Sequence, residues 1–98
     1  MAHKIIVDAG LREIVPAYLK NRKTELPELA EFLARGDFDA VIKAGHNLTG
    51  SGGGYGFDKI SELGRAVETA AAEKNLEKIK ILLSELADYL ENLEVVYE

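Results

Sequence analysis

The stretch GHNLTGSGGGYGF, residues 45–57, surrounds one histidine with six of the nine glycines in the chain. A glycine inside a helix costs about 0.5 to 1 kcal/mol relative to alanine, so four or five in one helix cost roughly 3 to 5 kcal/mol. That is a large part of the roughly 5 to 15 kcal/mol that stabilises a domain. Either these residues form a loop, or the missing side chains serve a purpose.

Apolar residues at helical spacing precede this stretch and indicate a long first helix. It is predicted to begin at Pro16, which suits a first helical turn, and to end at Gly36. Pro27 interrupts the pattern, but the apolar phase continues on both sides of it. We therefore predict one helix kinked at Pro27, with the alternative that Thr24 caps a separate second helix.

The glycines fall within the apolar phase of the next helix, which Asp37 is predicted to cap. Asp58 is predicted to cap a third helix. The core-facing residues are predicted to be Val41, Gly45, Leu48 and Gly52 in the former, and Ile60, Leu63, Gly64, Val67 and Ala71 in the latter.

A fourth helix is predicted after the turn AEKN, with Asn75 as its cap, and the final VVYE is expected to fray. Strand-like alternation occurs only in the short KIIV near the start. Four helices with short connections predict an all-α, antiparallel up-down four-helix bundle with a short N-terminal extension, in a single domain over residues 1–98. The inner face of the last helix is predicted to carry Ile79, Leu82 or Leu83, Leu86, Leu90 and Leu93.

The composition limits the possible functions. With 12 basic and 17 acidic residues and no cluster of Lys or Arg, the chain is not expected to bind nucleic acid. The absence of cysteine excludes disulfides and thiolate metal sites. We find no signal peptide and no run of about 18 apolar residues, and therefore expect a cytoplasmic protein without a membrane segment.

Helical geometry predicts where the motif histidine points. At about 100° per residue, His46 lies roughly 130° from the centre of the apolar stripe and so faces solvent. Gly45 and Gly52 lie on the core side, where a neighbouring helix can approach closely. Gly50 and Gly53 leave the surface beside His46 bare, which suits a partner that must come very close to the ring.

Other interpretations of these residues are weaker. A solitary surface histidine is inert in most proteins, and His3, in an N-terminus expected to be loose, is expected to be inert. The glycine spacing fits neither G-x-G-x-x-G nor G-x-x-x-x-G-K-[ST], so a nucleotide loop is not expected. A flexible loop conflicts with the continuing helical phase and with the capping Asp58, except at residues 55–57, which the sequence leaves open as a loop. Two histidines without cysteine make a metal site improbable.

The segment GHNLTGSGGGYGFDKISELGRAVETAA, residues 45–71, resembles the signature of histidine-containing phosphotransfer (HPt) domains. The resemblance implies that His46 accepts a phosphoryl group on its outer ring nitrogen from the aspartyl phosphate of a response-regulator receiver domain and passes it to another receiver. The chain would be a phosphocarrier rather than an enzyme, without a cofactor of its own, since the receiver holds the magnesium ion. The matching residues are His46, Leu48, Gly50, Ser51, Gly52, Gly56, Leu63 and Gly64.

One position departs from the family pattern. Thr49 stands where such domains usually carry a lysine that neutralises the phosphoryl group. Lys43, one helical turn before His46, is a candidate replacement, and the Thr49 hydroxyl is another. Ile42, Gly50 and Gly53 are the expected docking residues around the ring.

We therefore predict a freestanding monomeric HPt protein of a bacterial phosphorelay that acts with a receiver domain, a hybrid histidine kinase, or both. The alternative is a helical interaction module that binds a receiver or kinase without relaying phosphate. An enzyme is the third possibility, disfavoured by the lack of a second catalytic group.

Overall fold

The computed structural model describes residues 2–98, and within them four helices and two short strands. Two 3-10 turns, Ala9–Leu11 and Gly53–Tyr55, complete the regular structure. The helices are α1 (Val15–Ala34), α2 (Phe38–Gly52), α3 (Asp58–Ala72) and α4 (Leu76–Glu91), and the strands are β1 (His3–Val7) and β2 (Leu93–Tyr97).

The predicted four-helix bundle is confirmed. Each helix contacts its two neighbours in a closed ring, so that α1 packs on α2 and α4, and α3 packs on the same two helices. No helix in residues 2–98 combines the length and the apolar character that spanning a membrane would require. The core contains apolar residues of all four helices, among them Val15, Leu29, Val41, Leu48, Ile60, Val67, Ile79 and Leu86, together with Val7 and Phe57.

The first helix continues through Pro27, as the single-helix prediction requires. Thr24 does not cap a second helix, because its hydroxyl donates to the carbonyl of Lys20 one turn earlier. The helix ends before Gly36, whose φ of 70° lies in the left-handed region that glycine adopts without strain.

Two of the three predicted helix caps are confirmed. The carboxylate of Asp37 accepts the amide of Ala40, and the side-chain oxygen of Asn75 accepts the amide of Lys78. The prediction for Asp58 is wrong by one position, since Phe57 is the N-cap residue and Asp58 is the first helical residue. A carboxylate in the first turn still favours the helix, because the free amide groups there carry partial positive charge.

The expectation that both termini are loose is wrong. β1 and β2 form a two-stranded parallel sheet in which His3 is opposite Leu93 and Val7 is opposite Tyr97. α4 ends at Glu91, so Leu93 belongs to β2 and not to the inner face of the last helix. The sheet forms because Ile5, Val95 and Tyr97 pack against the bundle, which fixes the two ends of the chain side by side.

The expectation that His3 lies in a loose segment is also wrong. Its ring centroid lies 5.1 Å from that of Tyr89, and its Nε2 lies 4.0 Å from a carboxylate oxygen of Asp88. His3 is thus the first residue of β1, and its ring packs against the end of α4, far along the chain from the glycine-rich motif.

Candidate functional site

The glycines on the buried side of α2 allow its backbone to touch that of α3. A β-carbon on Gly45 would lie 2.8 Å from the amide nitrogen of Glu68, and one on Gly64 would lie 2.6 Å from Cβ of Leu48. A β-carbon on Gly52 would meet the amide nitrogen of Ser61 at 2.7 Å. Real side chains do not reach such distances, so these three glycines determine how closely the two helices pack.

Ser61 of α3 fastens the end of the glycine run. Its hydroxyl donates to the carbonyl of Thr49 and accepts the amide of Gly53, both at 2.8 Å. The chain then turns at Gly56, whose φ of 90° requires a glycine, and the amide of Phe57 returns to the carbonyl of Gly52. The motif is therefore ordered helix and turn, not a flexible loop.

His46 lies on the outer surface of α2, where 76% of its side chain is exposed. Its Nδ1 faces α3 and lies 3.6 Å from a carboxylate oxygen of Glu68. Its Nε2 has no hydrogen-bond or ion-pair partner within residues 2–98. The ring therefore has a carboxylate beside Nδ1, whereas Nε2 is left without a partner among the described residues.

Sequence reasoning missed Glu68. A glutamate on an exposed helix face is common and carries no signal by itself. One signal was present, because Glu68 follows Gly64 by four residues and therefore lies one turn further along the same face of α3. Since Gly64 packs directly on α2, the next residue on that face had to come close to the motif.

The two candidates for compensating phosphoryl charge occupy different environments. Thr49 is half-buried, and its hydroxyl donates to the carbonyl of Gly45 at 2.9 Å, which uses its only proton. Lys43 is exposed and lines a groove between α1 and α2, of about 260 Å³, together with Glu25 and Glu28. None of the ion pairs within residues 2–98 that we observe at 4 Å or less involves Lys43.

Of the three candidate docking residues, Ile42 and Gly50 lie on α2 one turn before and one turn after His46, and Gly53 begins the 3-10 turn that follows the helix. Gly50 is exposed, and a β-carbon there would meet no atom within 4 Å. Ile42 is half-buried against the core. Gly53 is exposed, but the surface around it is not bare as predicted. A β-carbon there would lie 3.6 Å from Oγ of Ser61. A small side chain at position 53 would therefore fit at ordinary contact distance.

α1 supports the motif from the opposite side. The hydroxyls of Tyr18 and Ser51 are hydrogen-bonded at 2.9 Å, and a guanidinium nitrogen of Arg22 donates to the same Ser51 oxygen. Tyr55 stacks on Tyr18 with ring centroids 4.2 Å apart. Arg22 also forms an ion pair with Glu25, so its charge is already balanced within α1. These contacts fix the glycine-rich end of α2 against the bundle.

A comparison with the sequence models of known protein families shows which family this arrangement of helices and motif belongs to. The sequence model that describes the Hpt domain matches residues 13–95, which include all four helices and the motif around His46. The chain belongs to the Hpt domain family. Comparisons with curated proteins and with solved structures give no significant match.

Membership of the Hpt family gives the chain a phosphotransfer role in a phosphorelay, as a phosphocarrier rather than an enzyme. It also implies interaction with receiver domains or kinases. The roles of His46, Lys43 and Thr49 in this Hpt domain remain predictions.

Proposed function

We propose that His46 accepts a phosphoryl group on Nε2 from the aspartyl phosphate of a receiver domain and transfers it to a second receiver. The observation that carries this proposal is the position of the ring, which is 76% exposed with Nδ1 directed at Glu68. An exposed ring whose Nε2 has no partner among the described residues can present that nitrogen to a partner that arrives from solvent.

The chemistry requires little from the carrier. Nε2 of the neutral ring attacks phosphorus, the N–P bond forms as the bond from phosphorus to the aspartyl oxygen breaks, and the aspartate leaves as a carboxylate. The proton on Nδ1 stays on the ring, which becomes cationic. The Glu68 carboxylate lies 3.6 Å from Nδ1, on the side of the ring where this positive charge develops.

The bare surface around His46 supports the approach of a receiver. Phosphoryl transfer depends chiefly on positioning and on stabilisation of charge, and in-line attack requires the phosphorus to come within about 3.5 Å of Nε2. Gly50, one turn from His46, has no side chain to obstruct this approach. The magnesium ion and the acidic pocket are expected on the receiver.

The alternative function is a helical module that binds a receiver or kinase without carrying phosphate. Thr49 favours this alternative, because it replaces the lysine expected beside the phosphoryl group and its hydroxyl proton is already donated to Gly45. The two functions share a docking surface and differ in whether a covalent bond forms.

A transfer assay separates them. Receiver domains from the same genome are phosphorylated, purified and mixed with the protein and magnesium. If the chain relays phosphate, the phosphoryl group should leave a receiver and appear on this chain as an acid-labile, base-stable adduct. Complex formation without label on the chain, across all receivers that bind, would reject relay in favour of the binding module.

A further inference from the structure

The sheet formed by β1 and β2 has two strands only, so each strand has one free edge. β1 lies outside residues 13–95, the part of the chain that the family accounts for. Ile6, the fourth of the five residues of β1, is 59% exposed. An exposed strand edge with an apolar side chain readily pairs with another strand.

The hydrogen bonds to β2 identify the backbone groups that remain free. The amide of His3 donates to Asn92, and the carbonyl of Val7 accepts the amide of Glu98. Neighbouring residues of a strand direct their backbone groups to opposite sides, so the groups of Lys4, Ile6 and Asp8 face the free edge. The Asp8 carbonyl accepts the amide of Leu11, but the Asp8 amide has no acceptor within residues 2–98.

The charged side chains along this edge are complementary to those of a second, antiparallel copy of the same edge. If two β1 strands run antiparallel with Ile6 opposite Ile6, then Lys4 of each copy lies opposite Asp8 of the other. One oxygen of the Asp8 carboxylate accepts the amide of Gly10, which leaves the second oxygen for a lysine. Lys4 has no ion-pair partner within 4 Å among residues 2–98, although Glu94 lies beside it in register.

The free edge of β2 lacks this complementarity. On the same outward face of the sheet, β2 carries Glu94, and Glu98 follows directly after the strand, with no cation between them. Two β2 strands would bring four carboxylates together, and like charges across strands are destabilising. The charges therefore favour pairing through β1 and oppose it through β2.

We propose that two copies of this chain associate through the free edges of β1, antiparallel about a two-fold axis at Ile6, to give a four-stranded sheet. The two Ile6 residues exchange backbone hydrogen bonds, and each Asp8 amide donates to the Lys4 carbonyl of the second copy. The expected monomer is thus in equilibrium with a dimer. Strands this short bury little area, so the dimer is weak, with a dissociation constant of about 10 μM to 1 mM.

Sedimentation equilibrium of the full chain from about 10 μM to about 1 mM tests the association. Ile6→Lys places two cations at the two-fold axis and is expected to raise the dissociation constant about tenfold or more. Ile81→Lys is the matched control, since Ile81 is 61% exposed on α4 and lies outside the sheet. It should leave the dissociation constant unchanged.

Charge exchange tests the register. Lys4→Glu alone and Asp8→Lys alone place like charges opposite each other and should each weaken association. An equimolar mixture of the two variants pairs Glu with Lys and Asp with Lys, and should restore dimers containing one copy of each. A thermal melt checks Asp8→Lys, which loses the carboxylate that accepts the Gly10 amide. If that variant does not fold, the comparison of Ile6→Lys with Ile81→Lys decides alone.

Three results would overturn the proposal. A monomer at every concentration would exclude association. A dimer that Ile6→Lys does not weaken would place the interface elsewhere. Species that grow beyond the dimer would indicate β1 pairing with β2 of the next copy, because such head-to-tail contacts do not close.

Discussion

The Glu68 carboxylate lies 3.6 Å from Nδ1 of His46, and we expect it to act on the ring when His46 is phosphorylated. A charge pair at that distance is worth about 1 kcal/mol at the dielectric of water and more where solvent is excluded. Since the His46 ring is largely exposed, we expect an effect near the low end. Glu68→Gln should slow phosphoryl transfer to His46 about fivefold to tenfold with the fold intact.

The control is Glu62→Gln, which removes an exposed carboxylate from the same helix at a position that does not contact the ring. Rates are measured with one phosphorylated receiver under single-turnover conditions. Equal rates for Glu68→Gln and Glu62→Gln would show that Glu68 does not act on the ring.

Lys43 is predicted to compensate the charge that phosphorylation adds to His46. At roughly 6 Å and an effective dielectric between 20 and 80, one charge pair contributes about 0.7 to 3 kcal/mol. Lys43→Ala should therefore slow transfer several-fold at low salt and less at high salt, and Thr49→Lys should rescue it. Lys78→Ala, an exposed lysine of α4, serves as the control. A Lys43→Ala rate equal to wild type at low salt would exclude Lys43.

The structure gives a separate expectation for Thr49. Its hydroxyl donates to the carbonyl of Gly45, so Thr49→Val removes a bond within α2 and not a ligand of the phosphoryl group. Transfer by Thr49→Val should match wild type within about twofold. A larger loss would show that the hydroxyl rotates to bind the phosphoryl group, as expected if Thr49 takes the place of the usual lysine.

The hydroxyl of Tyr89 is buried without a hydrogen-bond partner among the described residues. Its ring is buried in the core. Burial raises the pKa of Tyr89 above its ordinary value, and the charges of Asp58 and Tyr18 raise the pKa further. An unsatisfied buried hydroxyl costs about 1 to 3 kcal/mol.

Tyr89→Phe removes that cost, so the variant's free energy of unfolding at pH 7 should equal that of wild type or exceed it by up to about 3 kcal/mol. A raised pKa means that the native state holds this proton more firmly than the unfolded state. Wild type should therefore lose stability relative to Tyr89→Phe as the pH rises above 10.0, the ordinary value. A melting temperature for Tyr89→Phe well below that of wild type at pH 7 would reveal a bond that the hydroxyl makes.

At the scale of elements, the contact between α2 and α3 depends on where each glycine lies. A β-carbon at Gly45 would be forced against the backbone of α3, whereas one at Gly50 would enter open space. Gly45→Ala should therefore destabilise the bundle by about 1 to 3 kcal/mol. Gly50→Ala should stabilise it by about 0.5 to 1 kcal/mol, since alanine is the better helix former.

Denaturant unfolding of the two variants measures both effects. Both variants replace glycine by alanine in α2, five residues apart, so both gain the same helix propensity. The difference between their free energies of unfolding therefore reports the close packing at Gly45. Similar free energies of unfolding for the two variants would contradict the close packing of α2 on α3.

The helices were predictable because their signals are local. The caps Asp37 and Asn75 and the stop at Gly36 act within a few residues of the backbone that they complete. The strands were not predictable, because β1 pairs with a segment at the opposite end of the chain. KIIV and VVYE are each too short to be stable alone, and their pairing depends on the bundle that brings them together.

The candidate site likewise has features that the sequence predicts and one feature that it does not. The exposure of His46 and the close approach at Gly45 follow from helical phase, which the sequence contains. The contact with Glu68 depends on the axial position of α3 against α2. That position is set by Gly64 and by the Ser61 hydroxyl, and packing between helices cannot be read from one helix alone.

At the scale of the whole molecule, the four-helix bundle presents the proposed phosphoryl acceptor, His46, on its outer surface. The chain contains two histidines, and they occupy contrasting places. His46 lies in the middle of α2 with most of its side chain in solvent, whereas His3 is half-buried in β1 beside Tyr89. Relay requires that the phosphoryl group reside on the first and never on the second.

The most direct test maps the phosphoryl group after reaction with a phosphorylated receiver, using wild type, His46→Gln and His3→Gln. Both substitutions remove one imidazole, and circular dichroism checks that helicity is unchanged. We predict an acid-labile, base-stable adduct on wild type and on His3→Gln at similar yield, and none on His46→Gln. An adduct that persists on His46→Gln would contradict the assignment of His46 as the phosphoryl acceptor.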